Sequence, residues 1–206
     1  MAMAAISEQP TTRRFTSDEV WRMVDTGILG PDEPYELIDG ELLYVSPANP
    51  PHAGVIGRLN TALVLAYAPR GYIVRVQCPI GGIADSIPEP DLAVVPIPAA
   101  EQGEHPRADQ AALIVEVSDT TLRGDIRKRP IYAAAGAPVY WIVDLGRDAV
   151  VVHTGPRSDG TWTDQRVVDI DGQLELARPR AGARRIRSAA TGPRLSGTDR
   201  AARLMR

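Results

Sequence analysis

A mixed α/β fold built on a single central sheet follows from three features of the sequence. Residues 111–118 form an aliphatic run with no charged side chain before Glu116, the pattern of a strand covered on both faces. Upstream the period turns helical: His52, Ile56, Leu59, Leu63 and Ala66 recur at intervals of 4, 3, 4 and 3. Downstream, a second helical stretch carrying Lys128, Ile131, Tyr132 and Ala135 on one face separates that run from the next apolar strand. The resulting order is helix, hairpin, helix, three strands, helix, strand and a closing β-meander, which describes a sheet flanked by helices.

Residues 1–14 read as a loose leader. Thr16, Ser17, Asp18 and Glu19 then supply the capping hydroxyls and first-turn acids of a helix start. Val20, Met23 and Val24 give that helix its stripe, and Gly27 its stop. Over 35–44 the sequence reads as a β-hairpin turning at Asp39-Gly40. Glu36 shares a side with Ile38, so it either points inward or lies in water at the hairpin edge. The second helix runs from 51 to about 68. His52 opens its buried stripe at the positive end of the helix dipole, as a core residue or as part of a site.

Strands follow at 72–77 and 90–95, the second containing Asp91, and a loop over 96–109 leads into the central strand. The third helix spans 125–135 and closes at Gly136. Proline has no N–H to donate, so Pro130 is expected in the first turn, with the regular helix beginning late. Further strands are expected at 139–143, ending in Asp144, and at 149–153, 162–170 and 173–176.

The chain has 206 residues, enough for one domain over 15–176 with a buried core. Residues 177–206 hold nine arginines and one acid, about +8, and their Arg/Ala/Gly/Pro composition is that of a disordered extension. A tail of that charge could alternatively supply affinity for phosphates. The remainder holds 14 basic and 25 acidic groups, about −11, which argues against non-specific capture of nucleic acid by charge alone. One cysteine, Cys78, rules out an internal disulfide framework and points to a reducing, cytoplasmic setting. No apolar run reaches the length of a membrane span.

Chemistry gathers at one end of the central strand. Asp91 and Glu116 place two carboxylates on neighbouring strands, and Lys128 is the one lysine among 22 arginines. Mg²⁺ takes hard oxygen ligands, often one or two carboxylates completed by water and substrate. The backbone carbonyl of Val117 could add a third oxygen. Unlike arginine, lysine is compact and can change its protonation state when buried. It can therefore orient or deprotonate a water, or neutralise charge developing on a phosphate. This is the equipment of a metal-dependent phosphodiesterase. The same three groups could instead pair only to satisfy one another.

Several stretches carry a resemblance to a known family. They are Tyr35-Glu36-Leu37-Ile38-Asp39-Gly40-Glu41, His52 at a helix start, Pro90-Asp91-Leu92, Val115-Glu116-Val117-Ser118, and Lys128 to Asp144 with its Tyr140-Trp141-Ile142-Val143-Asp144. Together, over about 15–176, they resemble the PD-(D/E)XK nuclease superfamily, and more closely the Uma-two family of restriction endonucleases. The superfamily's lysine stands two residues after the glutamate, at the place of Ser118, whereas members of this family carry it on the following helix, here Lys128. Asp125 stands three residues before it, where the family pattern has four. The resemblance implies a restriction-endonuclease-like core with Asp91 and Glu116 as metal ligands and Lys128 as a catalytic residue. Glu36 and His52 are implied near the site. It further implies a DNA endonuclease using Mg²⁺, with Mn²⁺ as a substitute, and a homodimer would suit the cutting of two strands. The alternative is a catalytically inactive nuclease-fold module that binds nucleic acid or protein.

Overall fold

The computed structural model describes residues 12–30, 33–45, 49–119, 122–169, 173–175 and 185–187, the side chains of 122–125, 173–175 and 185–187 excepted. The first helix, α1 (Ser17–Asp25), starts on Thr16, whose hydroxyl accepts from the Glu19 N–H while the Glu19 carboxylate accepts from the Thr16 N–H. This reciprocal cap satisfies two helix-end donors. The hairpin follows as β1 (Tyr35–Ile38) and β2 (Glu41–Tyr44). Its turn residues Asp39 and Gly40 have φ of 49° and 75°, as a two-residue turn between twisted strands requires. A Cβ on Gly40 would lie 2.7 Å from the Arg14 Cβ, so the close approach as well as the positive φ calls for glycine. The hairpin docks on the segment before Asp91. Asp39 N–H donates to Ser86 Oγ (2.9 Å) and Ile87 N–H to the Leu37 carbonyl (2.8 Å).

Helix α2 (Pro50–Tyr67) is capped by Asn49, whose side chain accepts from the His52 N–H. The central sheet has six strands in the order β3 (Tyr72–Val76), β4 (Leu92–Pro96), β5 (Leu113–Ser118), β6 (Val139–Asp144), β7 (Ala149–Pro156) and β8 (Trp162–Asp169). Every neighbouring pair is antiparallel except β5 and β6, which run parallel. Parallel neighbours need a crossover, and α4 (Leu122–Ala134) provides it. Both faces of the sheet are covered. Leu113, Val115 and Val117 of β5 pack with Ile56, Leu59 and Leu63 of α2. Ile114 faces the other way, into a cluster with Tyr132 of α4 and Tyr140 and Ile142 of β6. All six residues of β5 are buried, as its uninterrupted apolar run predicts. Each large side chain so buried contributes about 1.5–3 kcal/mol.

Four details depart from the sequence-based expectations. Asp91 lies just before β4 rather than within it. The 96–109 connection contains a four-residue helix, α3 (Ile97–Ala100), and a single 3₁₀ turn, Ala108–Gln110. Helix α4 starts well before Pro130, which sits inside it. Ile126, whose carbonyl loses its donor, is exposed, so water can satisfy it. The neighbouring hairpin also braces that point: Gly160 lies against Pro130, and Trp162 Nε1–H donates to the Arg129 carbonyl at 3.0 Å. Finally, β7 and β8 extend the central sheet as a meander, but β9 (Gln173–Glu175) leaves it to pair with β10 (Arg185–Arg187). A short part of the segment expected as a disordered tail is thus a paired strand; the rest of 177–206 lies outside the described residues.

Candidate active site

The site residues meet where the register of β4 and β5 runs out. Leu92 pairs with Val115, so Asp91 and Glu116 are the next residues on each strand, beyond the paired segment. Val117 N–H turns to the Asp91 carboxylate, at 2.8 Å from Oδ2, and Asp91 N–H approaches Glu116 Oε2 at a long 3.4 Å. Glu116 is thereby tied to the backbone of Asp91, and Asp91 to the backbone of the residue that follows Glu116. The first turn of α2 adds His52, whose Nε2 lies 3.1 Å from Asp91 Oδ2.

From the other face, α4 delivers Lys128. Its ammonium donates to Glu116 Oε1 at 3.1 Å and to Glu36, at 2.9 Å from Oε1 and 2.8 Å from Oε2. Lys128, Glu36 and Glu116 are each less than a tenth exposed. A buried ammonium between two buried carboxylates is the arrangement in which removal of one member is costly. Glu36 points inward, which settles the choice its strand position left open. Its Oε1 also accepts from the Glu89 N–H at 2.9 Å, joining hairpin, β4 approach and α4 at one carboxylate. All five side chains singled out in the sequence, Glu36, His52, Asp91, Glu116 and Lys128, therefore converge.

Three further residues belong to this cluster. Tyr132, one turn after Lys128, donates its hydroxyl to Glu116 Oε1 at 3.2 Å and is completely buried. Burial, then the charge on Glu116, pushes its phenol well above the usual range, so it stays a donor. Gln77, at the end of β3, reaches Asp91 Oδ1 with its Nε2 at 3.4 Å from a left-handed backbone, φ 47°. Such a φ is unusual for a residue other than glycine. Glu89, half-buried beside Glu36, has its carboxyl pKa raised by burial and then by the Glu36 charge, against the opposing pull of Lys128. The signals were the Glu89-Pro90-Asp91 acid pair and the four-residue step from Lys128 to Tyr132. Gln77 had none.

Glu89 gives the site a pH signature. A carboxyl whose pKa is higher folded than unfolded favours folding when protonated. That contribution is full below the unfolded value, about 4.3, and is lost as pH rises through the folded one. Glu89→Gln cannot ionise and is expected to flatten this decline. Urea midpoints of both proteins from about pH 4 to 8 check it; parallel curves would reject the assignment.

Nearer the surface, Arg127 donates to Glu41 Oε2 at 2.7 Å and Arg14 lies 3.3 Å from Oε1, clasping the hairpin's second strand. Among the described residues, no three His, Cys, Asp or Glu side chains are arranged to hold a metal on their own. None of the described helices is long and apolar enough to cross a membrane.

The model of the family described as "Uma2: Putative restriction endonuclease" matches residues 20–184, most of the chain. The chain belongs to the Uma2 family. Among solved structures it is similar to a protein of Anabaena variabilis described as "a putative nuclease belonging to DUF820". The TM-score is 0.63 at 16% identity, over 78% of this chain and 88% of that one, a likeness of fold. The six-stranded mixed sheet flanked by helices fits the restriction-endonuclease-like fold. Comparison with curated proteins yields no match. The Uma2 match covers every one of the eight residues gathered at the site.

Proposed function

We propose that this Uma2 protein is a Mg²⁺-dependent endonuclease that hydrolyses DNA phosphodiester bonds, with Mn²⁺ able to substitute. The observation that supports this reading best is the meeting of Asp91, Glu116 and Lys128 at one end of the sheet.

The donor set suits the metal. Glu36 and Glu116 hold the one ammonium, Glu89 lies beside Glu36 and Asp91 adjoins Glu116, so hard oxygens outnumber cationic groups here. Mg²⁺ needs only one or two protein carboxylates, the rest of its shell being water and substrate oxygens. A cage of three protein acids is therefore not required. In our reading Asp91, Glu116 and the backbone carbonyl of Val117 hold the ion. When bound, it would lower the pKa of a water and neutralise charge on the phosphate.

The chain's own residues do the positioning. The Val117 N–H and His52 fix the Asp91 carboxylate in one orientation. Lys128 is catalytic: its ammonium orients the attacking water or offsets charge growing on the phosphate oxygens. Glu36 holds that ammonium in place from the hairpin. DNA is the partner in this reading, a homodimer would allow both strands to be cut, and the setting is cytoplasmic.

Incubation of plasmid DNA with the full chain in Mg²⁺ or Mn²⁺ is expected to give nicked and linear product. Glu116→Ala and Lys128→Ala should abolish it. Equal activity in all three proteins would sink the proposal.

One observation favours a second reading, the catalytically inactive module. The acids and Lys128 already satisfy one another through hydrogen bonds, as a structural network would. Calorimetric titration with Mn²⁺ separates the two, because an inactive network of this kind would take up no metal.

A further inference from the structure

We propose that Tyr132 is a positioning residue for Glu116, and that α4 acts on this carboxylate through two donors one helical turn apart. Lys128 and Tyr132 stand four residues apart and therefore on one face of the helix. Both donate to the same atom, Glu116 Oε1, at 3.1 and 3.2 Å. One donor leaves a carboxylate free to swing about it; two donors to one oxygen fix its plane and turn Oε2 toward Asp91. There the Asp91 N–H meets that second oxygen at 3.4 Å.

Tyr132 is itself held. Its ring lies 5.0 Å from that of Tyr140, which in turn faces His153 and Trp162 at 5.6 and 6.2 Å. Trp162 donates to the Arg129 carbonyl, so the aromatic group also fixes the height of α4 against the sheet. Complete burial excludes contact between the phenol and DNA, so its effect must pass through Glu116. Partners that orient a metal ligand from behind are worth about 10- to 100-fold in metal affinity or activity. This inference rests on the reading of Glu116 as a metal ligand.

The test compares full-length wild type, Tyr132→Phe, and a chain with 4-aminophenylalanine at position 132, which keeps a ring and a donor. Each is titrated with Mn²⁺ by calorimetry, assayed for plasmid cleavage and melted thermally. Tyr132→Phe is expected to bind Mn²⁺ about tenfold or more weakly and to lose kcat to a similar extent. Its KM for DNA and its melting temperature should stay near wild type, and the amino side chain should recover most of the loss. Wild-type Mn²⁺ affinity and kcat in Tyr132→Phe would overturn the proposal. So would losses that track only the fraction of folded protein, or no recovery in a folded amino variant. A wild type that neither binds Mn²⁺ nor cuts DNA overturns the nuclease reading itself, a distinct result.

Discussion

Lys128→Met should destabilise this protein by about 3–5 kcal/mol, the range for removing one partner of a buried ion pair. The substitution keeps the length of the side chain but leaves Glu36 and Glu116 facing each other across a buried gap. Both carboxylates sit within 3.1 Å of the ammonium, and neither is more than 7% exposed. For a domain of this size the melting temperature should fall on the order of 10 °C. The companion experiment replaces all three, Lys128→Met with Glu36→Gln and Glu116→Gln. This variant leaves no carboxylate facing the lost ammonium, so it should melt well above the single one. It should show no cleavage. If Lys128→Met melts within a degree or two of wild type, the ammonium is not buried in solution as it is here.

The second large effect is expected at Asp91. Asp91→Asn keeps the shape of the side chain and an oxygen that can still accept the Val117 N–H. The fold should survive, while the charge that would bind a divalent cation is gone. Loss of a metal's stabilisation of the transition state, several kcal/mol, corresponds to at least about 10³-fold in rate. Plasmid cleavage should drop by that factor and the calorimetric heat of Mn²⁺ binding should vanish, with the unfolding midpoint little changed. A variant that cuts normally would remove Asp91 from the chemistry.

Much of this architecture could be read from local pattern. Thr16 with Glu19, the Asp39-Gly40 turn, the α2 stripe and the apolar run of β5 each encode an element within a few residues. Local rules were insufficient in two kinds of place. At Pro130, tertiary bracing by Gly160 and Trp162 overrides the helix-breaking tendency of proline, so α4 begins earlier than its local sequence predicts. At the site, what matters is which strands are neighbours. The hydrogen bond between Glu89 N–H and Glu36 spans 53 positions and that between Gln77 and Asp91 depends on where β3 ends against β4. Neither periodicity nor propensity carries that information. Glu36, His52, Asp91, Glu116 and Lys128 are acids, a histidine and a lysine next to apolar residues, and they stand out because such groups are rarely buried without a partner. Gln77 and Tyr132 do not stand out in this way.

The two anchors of Lys128 also differ in how far along the chain they lie. Glu116 is 12 residues away, whereas Glu36 is 92. On loop-closure grounds alone the longer contact costs about 2 kcal/mol more to form. The sheet and α4 can come together with the lysine on its nearer acid, but the amino-terminal hairpin has to return across the molecule before the ammonium is held on both sides. The longer loop predicts that the hairpin closes late and opens early. A chain whose front end has frayed or been cut away is expected to lose the alignment of its lysine, so under the proposed function cleavage would fall before a spectroscopic signal of unfolding appears.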